Sequence, residues 1–147
     1  MSNYSAALKH EASPLPGKKF FTLSEARRAL PLVKRIAADI HDAQSHRLRI
    51  HAELSAGMAD LALGGHEALQ REFDDETDHL ESLVAELGLI GVELKDPSRV
   101  LLDFPAMHEG REILLCWKSD EENIDFWHEL DGGYAARKPV SELADVH

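Results

Sequence analysis

The sequence predicts an α+β fold in which a long antiparallel helical hairpin precedes a small, mainly antiparallel β-sheet of about three to four strands. Apolar residues recur at three- and four-residue steps from Leu23 to Leu54 and again from Leu69 to Leu87, which is typical of two amphipathic helices. After Gly88, short β-rich runs alternate with turn residues. The 147 residues, of which 44% are hydrophobic and 29% charged, suit one globular domain.

We predict a single domain over residues 20–140, with the hairpin at 20–88 and the β-rich part at 89–140. Residues 1–19 lack the apolar core of a targeting signal and predict a disordered tail, and residues 141–147 predict a frayed end. The one cysteine, Cys116, excludes an internal disulfide and favours a cytoplasmic location. No run approaches the ~20 apolar residues of a membrane span, so we expect no membrane partner. The net charge of −11 argues against binding nucleic acid, which is a polyanion.

The limits of both helices follow from local signals. Thr22 and Glu25 have the spacing of a capping box, so the first helix should begin there. Pro31 lacks an amide donor and should kink or divide this helix, which Gly57 ends. The second helix should run from about residue 66 to residue 87, with Gly88 as its left-handed terminator.

Charge is segregated between the two helices. Residues 18–49 carry eight basic and three acidic side chains, whereas residues 53–96 carry twelve acidic and two basic ones. Either both faces are solvated, or the two segments attract each other. A hairpin that aligns Ile50 with Phe73 also brings Arg47 to Glu76. We predict this pair as a structural contact that fixes the register, because a lone charge in an apolar seam would be costly. The alternative is that both side chains extend outward to solvent.

The β-rich part divides at its turn residues. Residues 91–94, 100–107, 111–118 and 124–127 predict strands, and the segment from His108 to Gly110 predicts the turn between the second and the third. The run at 111–118 is apolar on both faces, so this strand should be central and covered by a helix. Pro105 cannot donate within a ladder and should mark an edge or a bulge.

Short strings in this chain resemble a known signature. The specific strings are Asp103-Phe104-Pro105-Ala106, Gly110-Arg111-Glu112, Leu115-Cys116-Trp117-Lys118, Trp127-His128-Glu129 and Gly133-Tyr134 with Arg137. Two earlier segments, Phe21-Thr22-Leu23-Ser24-Glu25-Ala26 and Gly91-Val92-Glu93-Leu94-Lys95-Asp96, fit the same signature. On these strings the sequence resembles, from residue 20 to residue 140, a small bacterial family known only as a domain of unknown function, which implies no activity. The resemblance is most specific in the C-terminal half.

The candidate ligand-binding residues lie near predicted strand ends. Two arginines gathered with the two tryptophans and a tyrosine would form an aromatic-walled cationic pocket for a small anionic ligand. The alternative is that each arginine neutralises an acid such as Asp103 or Glu129 in a structural network. The full candidate set is Asp103, Arg111, Trp117, Trp127, His128, Glu129, Tyr134 and Arg137.

The sequence contains few motifs that are typical of a metal site or a catalytic site. His128 and Glu129, together with Asp103, Cys116 and His108, are ligand types for a transition metal, and the alternative metal set is His128, Glu129 and Asp103. However, H-E-x-x-H and C-x-x-C motifs are absent, and Glu76-x-x-His79 occurs once. We therefore predict no cofactor and keep a metal site as an alternative. Cys116 has no base beside it in the sequence and should be a buried structural residue. No complete catalytic constellation is visible.

The sequence favours a non-catalytic interaction module that forms a homodimer. Leucines beyond those needed for one helical seam remain for self-association, namely Leu32, Leu48, Leu61 and Leu63. The alternative is a small-anion-binding or metal-binding protein, or an enzyme, that uses the cluster at the end of the sheet. Convergence of Asp103, Arg111, His128, Glu129 and Arg137 on one open pocket would favour this alternative.

Overall fold

A computed structural model describes residues 18–57 and 64–143 of the chain. Helices α1 (Leu23–Ser55) and α2 (Gly65–Ile90) precede strands β1 (Glu93–Asp96), β2 (Leu101–His108), β3 (Arg111–Lys118), β4 (Phe126–Glu129) and β5 (Lys138–Pro139). The strands form one sheet in the order β1-β2-β3-β4-β5, and every neighbouring pair is antiparallel. The α+β class is confirmed. The described residues form five strands, whereas the sequence predicted three to four. The fifth strand, β5, was missed because a two-residue strand that contains a proline is too short to show a sequence period.

The start of α1 is the predicted capping box. The Glu25 amide donates to Thr22 Oγ1 (3.0 Å), and the Thr22 amide donates to Glu25 Oε1 (2.9 Å). The helix continues through Pro31 without interruption, so the predicted division is wrong, while the kink stays a prediction. Leu30 and Val33 beside the proline are buried in the core. Burial of each such side chain contributes about 1.5–3 kcal/mol, which offsets the roughly 3 kcal/mol that proline costs a helix.

The end of α2 is at Gly91 and not at Gly88. Gly91 has φ +103°, and its amide donates to the Leu87 carbonyl at 3.0 Å. A Cβ at this position would lie 3.1 Å from Lys19 Cβ and 3.3 Å from the Phe21 ring, so glycine is required for space as well as for φ. Both glycines are valid terminators by sequence, and only the packing against the segment before α1 selects the second.

The two helices form the predicted antiparallel hairpin, but its polar contacts differ from the predicted ones. The Arg47–Glu76 pair is wrong: Arg47 Nε donates to Thr77 Oγ1 (2.9 Å) and Nη1 donates to Gln44 Oε1 (2.6 Å). Its guanidinium also stacks 4.9 Å from the Phe73 ring. A step of one residue rotates a side chain by about 100° around a helix, so the apolar stripes fix the alignment without fixing the polar partner.

Glu76 instead binds two histidines. His46 Nδ1 lies 2.5 Å from Glu76 Oε2, and His79 Nδ1 lies 2.8 Å from Glu76 Oε1. The second ring nitrogen of His46, Nε2, lies 2.8 Å from Glu72 Oε2. One imidazole of α1 thus bridges two carboxylates of α2, and we call this contact the His46 clamp.

The basic first half of α1 is attached to the sheet. Arg27 donates two hydrogen bonds to the Ile124 carbonyl (3.2 and 2.9 Å) and one to Asp125 Oδ1 (3.2 Å). Lys34 donates to the Glu122 carbonyl at 2.8 Å. Positive charge on α1 therefore meets the acidic turn before β4 as well as α2.

The sheet buries both of its faces. The face toward the helices carries Phe104 of β2, Leu115 and Trp117 of β3 and Trp127 of β4 in one apolar core. Alternate residues point to the opposite face, where Leu114 and Cys116 are also buried although they lie outside that core. The predicted central position of β3 is confirmed.

Pro105 lies within β2, at a point that β1 does not reach. The β1 ladder ends at Asp103, and the Pro105 carbonyl accepts a hydrogen bond from the Phe21 amide (2.7 Å). At Pro105 no strand lies beside β2 on the β1 side, so the missing N–H breaks no ladder hydrogen bond there, as predicted for an edge position.

The predicted tails lie mostly outside the described residues. These are residues 1–17 and 144–147, and residues 58–63 with Leu61 and Leu63 also lie outside. The end of the domain is later than predicted, because Leu143 is 1% exposed and packs in the core beside Val140.

Within residues 18–57 and 64–143, neither helix is apolar enough over its length to cross a lipid bilayer.

The His46 clamp makes the stability of the hairpin pH-dependent. The hydrogen bond to the Glu76 carboxylate raises the pKa of His46 above its ordinary value, and Glu72 contributes in the same direction. Stabilisation by the clamp is therefore complete below about pH 6.5 and is lost as the pH rises through the pKa of the folded state. We expect the wild type to have a larger free energy of unfolding than His46→Gln at about pH 5, and this difference should shrink as the pH rises to about 9. Equilibrium denaturation of both proteins across this pH range measures the difference. His41→Gln, which changes an exposed histidine of the same helix, is the control, and an equal shrinkage there would contradict the assignment.

Candidate functional site

Three side chains with metal-ligand chemistry meet on the sheet face that points away from the helices. In the strand register Asp103 of β2 lies opposite Cys116 of β3, and Leu114 lies opposite His128 of β4. Residues two apart on a strand share a face, so all three side chains point the same way. Their donor atoms (a carboxylate oxygen, Sγ and a ring nitrogen) lie within 4.8 Å of one another, and all three residues are buried.

The imidazole of His128 is held at both nitrogens. Nε2 lies 3.3 Å from Asp103 Oδ1, and Nδ1 lies 2.7 Å from the Glu129 carbonyl. The Gly133 amide also approaches Nδ1, at 3.2 Å, but the contact with the Glu129 carbonyl is shorter and a carbonyl only accepts. The shorter contact favours the proton on Nδ1, and Nε2 faces Asp103. Asp103 raises the pKa of His128, while burial opposes this.

Cys116 is a thiol in this environment and not a nucleophile. Burial raises its pKa to about 12, and the nearby Asp103 carboxylate adds to the effect. In a catalytic Cys-His-Asp triad the acid and the thiol contact different ring nitrogens. Here Nε2 of His128 contacts Asp103, and Nδ1 contacts the Glu129 carbonyl and the Gly133 amide, so the thiol does not take the place it has in a triad. The three donor atoms instead lie around one point, as metal ligands do. The prediction that Cys116 is buried is confirmed.

A cavity of about 290 Å³ opens directly above these three residues. Its wall opposite the sheet is the segment Leu130–Tyr134, which follows β4, and Lys95 of β1 lies at one side. Gly133 in this segment has φ +73° and ψ −175°, a conformation that is essentially restricted to glycine. The cavity is also lined by Lys95, Leu101, Leu114, Leu130, Asp131 and Tyr134.

The predicted cationic pocket does not form, because each arginine binds an acid. Arg111 makes two hydrogen bonds to Glu129 (3.1 and 2.8 Å) at an exposed end of the sheet. Arg137 makes two hydrogen bonds to Glu121 (3.0 and 2.7 Å) in a mostly buried position. The alternative of a structural network therefore holds for both arginines, although Glu121 was not foreseen as a partner.

Aromatic rings fix Arg137 in place. Its guanidinium lies 4.3 Å from the Phe126 ring centre and 4.2 Å from that of Tyr134. Its positive charge also acts on the Cys116 thiol, lowering that pKa against the larger effect of burial. Arg137 thus supports the three-residue cluster from the side without lining the cavity.

The two tryptophans belong to the core on the helix side. Trp117 and Trp127 are 1% and 4% exposed, and Trp117 Nε1 donates to the Glu121 carbonyl at 3.0 Å. Strand alternation places them on the face opposite to the cavity, so they do not form its wall. Of the eight predicted residues, the cavity is lined by Asp103, His128 and Tyr134.

The predicted metal set is corrected at one position. Glu129 is engaged with Arg111 and points to the other face, and Cys116 takes the third place beside Asp103 and His128. The signal for Cys116 was present in the alternation of β3, which places it two residues from Leu114 on one face. Lys95 carried no sequence signal, because its place in the cavity depends on β1 pairing with β2.

Comparison with known proteins gives a family and no function. Residues 19–140 match the model of the uncharacterized conserved protein family DUF2203. The chain belongs to this family, and the predicted resemblance to a family without an assigned activity is confirmed. No curated protein and no solved structure matches the sequence or the fold.

The two arginine pairs should respond differently to truncation. Arg137→Ala leaves the partly buried Glu121 carboxylate without its partner and should cost about 2–4 kcal/mol of unfolding free energy. Arg111→Ala removes an exposed pair and should change stability little. Chemical denaturation of both variants tests this. Equal losses would contradict the difference in burial between the pairs.

Proposed function

We propose that this protein binds a divalent transition metal ion, best Zn²⁺, through the Asp103 carboxylate, the Cys116 thiolate and Nε2 of His128. The observation that carries the proposal is the convergence of three buried donors of different chemistry within 4.8 Å of one another. A carboxylate, a sulfur and an imidazole nitrogen together suit Zn²⁺, whereas Mg²⁺ and Ca²⁺ prefer oxygen ligands alone.

The spacing of the donors fits a tetrahedral ion. Ligand distances of about 2.0–2.3 Å place neighbouring donors about 3.3–3.6 Å apart. Nε2 of His128 and Oδ1 of Asp103 are already 3.3 Å apart, and the largest separation in the set is within 4.8 Å. A side-chain adjustment of about one ångström would bring the sulfur into range.

The surroundings of the donors also favour a metal. A zinc-binding histidine usually donates its other ring N–H to a backbone carbonyl or a carboxylate, which fixes the ring. The Glu129 carbonyl is placed for this role at 2.7 Å from Nδ1. The bound ion would hold the sulfur as a thiolate and offset the burial of Asp103. A free thiol of this kind also suits the cytoplasmic location that we infer for the protein.

Cobalt titration of the full chain tests the proposal. Co²⁺ replaces Zn²⁺ in such sites, and a Co²⁺–thiolate bond has a charge-transfer absorption that oxygen and nitrogen ligands lack. We expect one equivalent of Co²⁺ to produce this absorption and Zn²⁺ to displace it. Cys116→Ala should abolish the absorption and weaken the affinity by more than about 100-fold.

The matched control is Glu129→Gln. Glu129 belongs to the alternative metal set that the sequence left open, but its side chain is bound to Arg111 away from the cluster. This variant should bind Co²⁺ like the wild type, and thermal melts should show that both variants are folded. Co²⁺ binding without the thiolate absorption, or equal loss in both variants, would refute the proposed ligand set.

Self-association as a homodimer is a second candidate function. It is favoured by the exposure of Leu32 (45%) and Leu48 (53%) on α1, because a dimer interface over either leucine would remove it from water. Such a module needs no catalysis, and it is compatible with metal binding on the far side of the sheet.

Light scattering at micromolar concentration tests the dimer. The wild type should have about twice the mass of the monomer. The double variant Leu32→Glu with Leu48→Glu should be monomeric, because a charge would have to be buried whichever of the two leucines lies in the interface. Ser45→Glu, an exposed change on the same helix, is the control. If the wild type has the mass of the monomer, the proposed homodimer is wrong.

A further inference from the structure

We propose that the metal ion, if bound as inferred above, takes a short organic monocarboxylate as its fourth ligand in the 290 Å³ cavity. This inference rests on the proposed function. It names the class of ligand that the site would accept.

The direction of the fourth coordination position follows from the sheet. Asp103, Cys116 and His128 all reach the ion from one face of three adjacent strands. The remaining tetrahedral position therefore points away from the sheet, which is where the cavity lies. Zinc sites with three protein ligands use this position for water or for a substrate.

The walls of the cavity favour a ligand with an apolar chain. Leu101 and Leu114 form its floor beside the three ligands, and Leu130 lies in the segment that covers it. At about 290 Å³ the cavity is at the lower end of the range for small-molecule sites, so the chain must be short.

Two polar groups in the wall could hold a carboxylate. Tyr134 has its ring packed between the guanidinium groups of Arg137 (4.2 Å) and Arg99 (5.1 Å), which fixes its orientation. Its hydroxyl makes no hydrogen bond within residues 18–57 and 64–143, so a donor remains for a ligand. The other polar group is the ammonium group of Lys95, which lies at the side of the cavity.

Charge decides between a monoanion and a dianion. A divalent ion with the Asp103 carboxylate and the Cys116 thiolate is neutral, and Lys95 adds one positive charge. Lys95 is already 3.0 Å from Glu93, and the exposed Asp131 also lines the cavity. With these two carboxylates counted, the groups around the cavity carry a net charge of −1. The attraction for an anion therefore comes from the open position on the ion, and a phosphate dianion is repelled more strongly than a single negative charge.

The experiment uses the Co²⁺-loaded full chain, whose absorption spectrum reports a change of the fourth ligand. The probes are butyrate, inorganic phosphate and 1-butanol. Butyrate should shift the spectrum with saturation, 1-butanol should not, and phosphate should bind at least about tenfold more weakly. Lys95→Gln and Tyr134→Phe should each weaken butyrate binding by about three- to tenfold, as expected for one polar contact.

Lys138→Gln is the control, because Lys138 is exposed on β5 and lies over the Trp127 ring on the other side of the sheet. Its butyrate affinity should equal that of the wild type. If Co²⁺ binds but butyrate leaves the spectrum unchanged, or phosphate binds as tightly as butyrate, this inference is wrong and the metal site stands. Unchanged butyrate affinity in both cavity variants overturns it as well. If Co²⁺ does not bind, the proposed function itself fails.

Discussion

The pairing register of β2, β3 and β4 is the constraint on which the rest of the molecule depends. It sets Asp103 opposite Cys116 and Leu114 opposite His128. A slip by one residue would turn every side chain of a strand to the other face, so that Asp103 would enter the apolar core. The register is itself held by a two-residue turn between β2 and β3, in which Glu109 and Gly110 both have positive φ (53° and 79°). This is the turn geometry that matches the twist of antiparallel strands.

Burial of both sheet faces explains why the polar cluster is chemically unusual. Helices cover one face, and the segment after β4 covers the other, so Asp103 and His128 are 1% and 3% exposed. Buried polar groups need partners, and the Asp103–His128 contact with the Glu129 carbonyl supplies them. The same seclusion raises the pKa of Cys116 and leaves the donors facing one another. The Asp103–His128 contact fits both a structural ion pair and a metal site. Only a metal site would also use the Cys116 sulfur.

The hairpin shows where periodicity is informative and where it fails. The apolar stripes predicted both helices, their antiparallel contact and the capping box at Thr22. They did not predict that Arg47 turns to Thr77 or that His46 takes Glu76, since polar partners depend on the rotation of each helix. The core contains α1 residues up to Ala43, and Ile50 is buried outside it. After Ala43, α1 packs on α2 and no longer on the sheet core, so the His46 clamp contributes a larger share of the stability of this part of the hairpin.

The sequence by itself determined the two helices, four of the five described strands, their order and the central place of β3, because these depend on local period, turn chemistry and the burial of apolar side chains. It also identified Asp103, His128 and Tyr134 among the residues that line the cavity. Only the tertiary structure decided which of them meet. Arg111 and Arg137 were separated from the cavity by their contacts with Glu129 and Glu121, and Cys116 was brought to Asp103 by the strand register. Partners across strands are distant along the chain, and no local pattern encodes the distance between them.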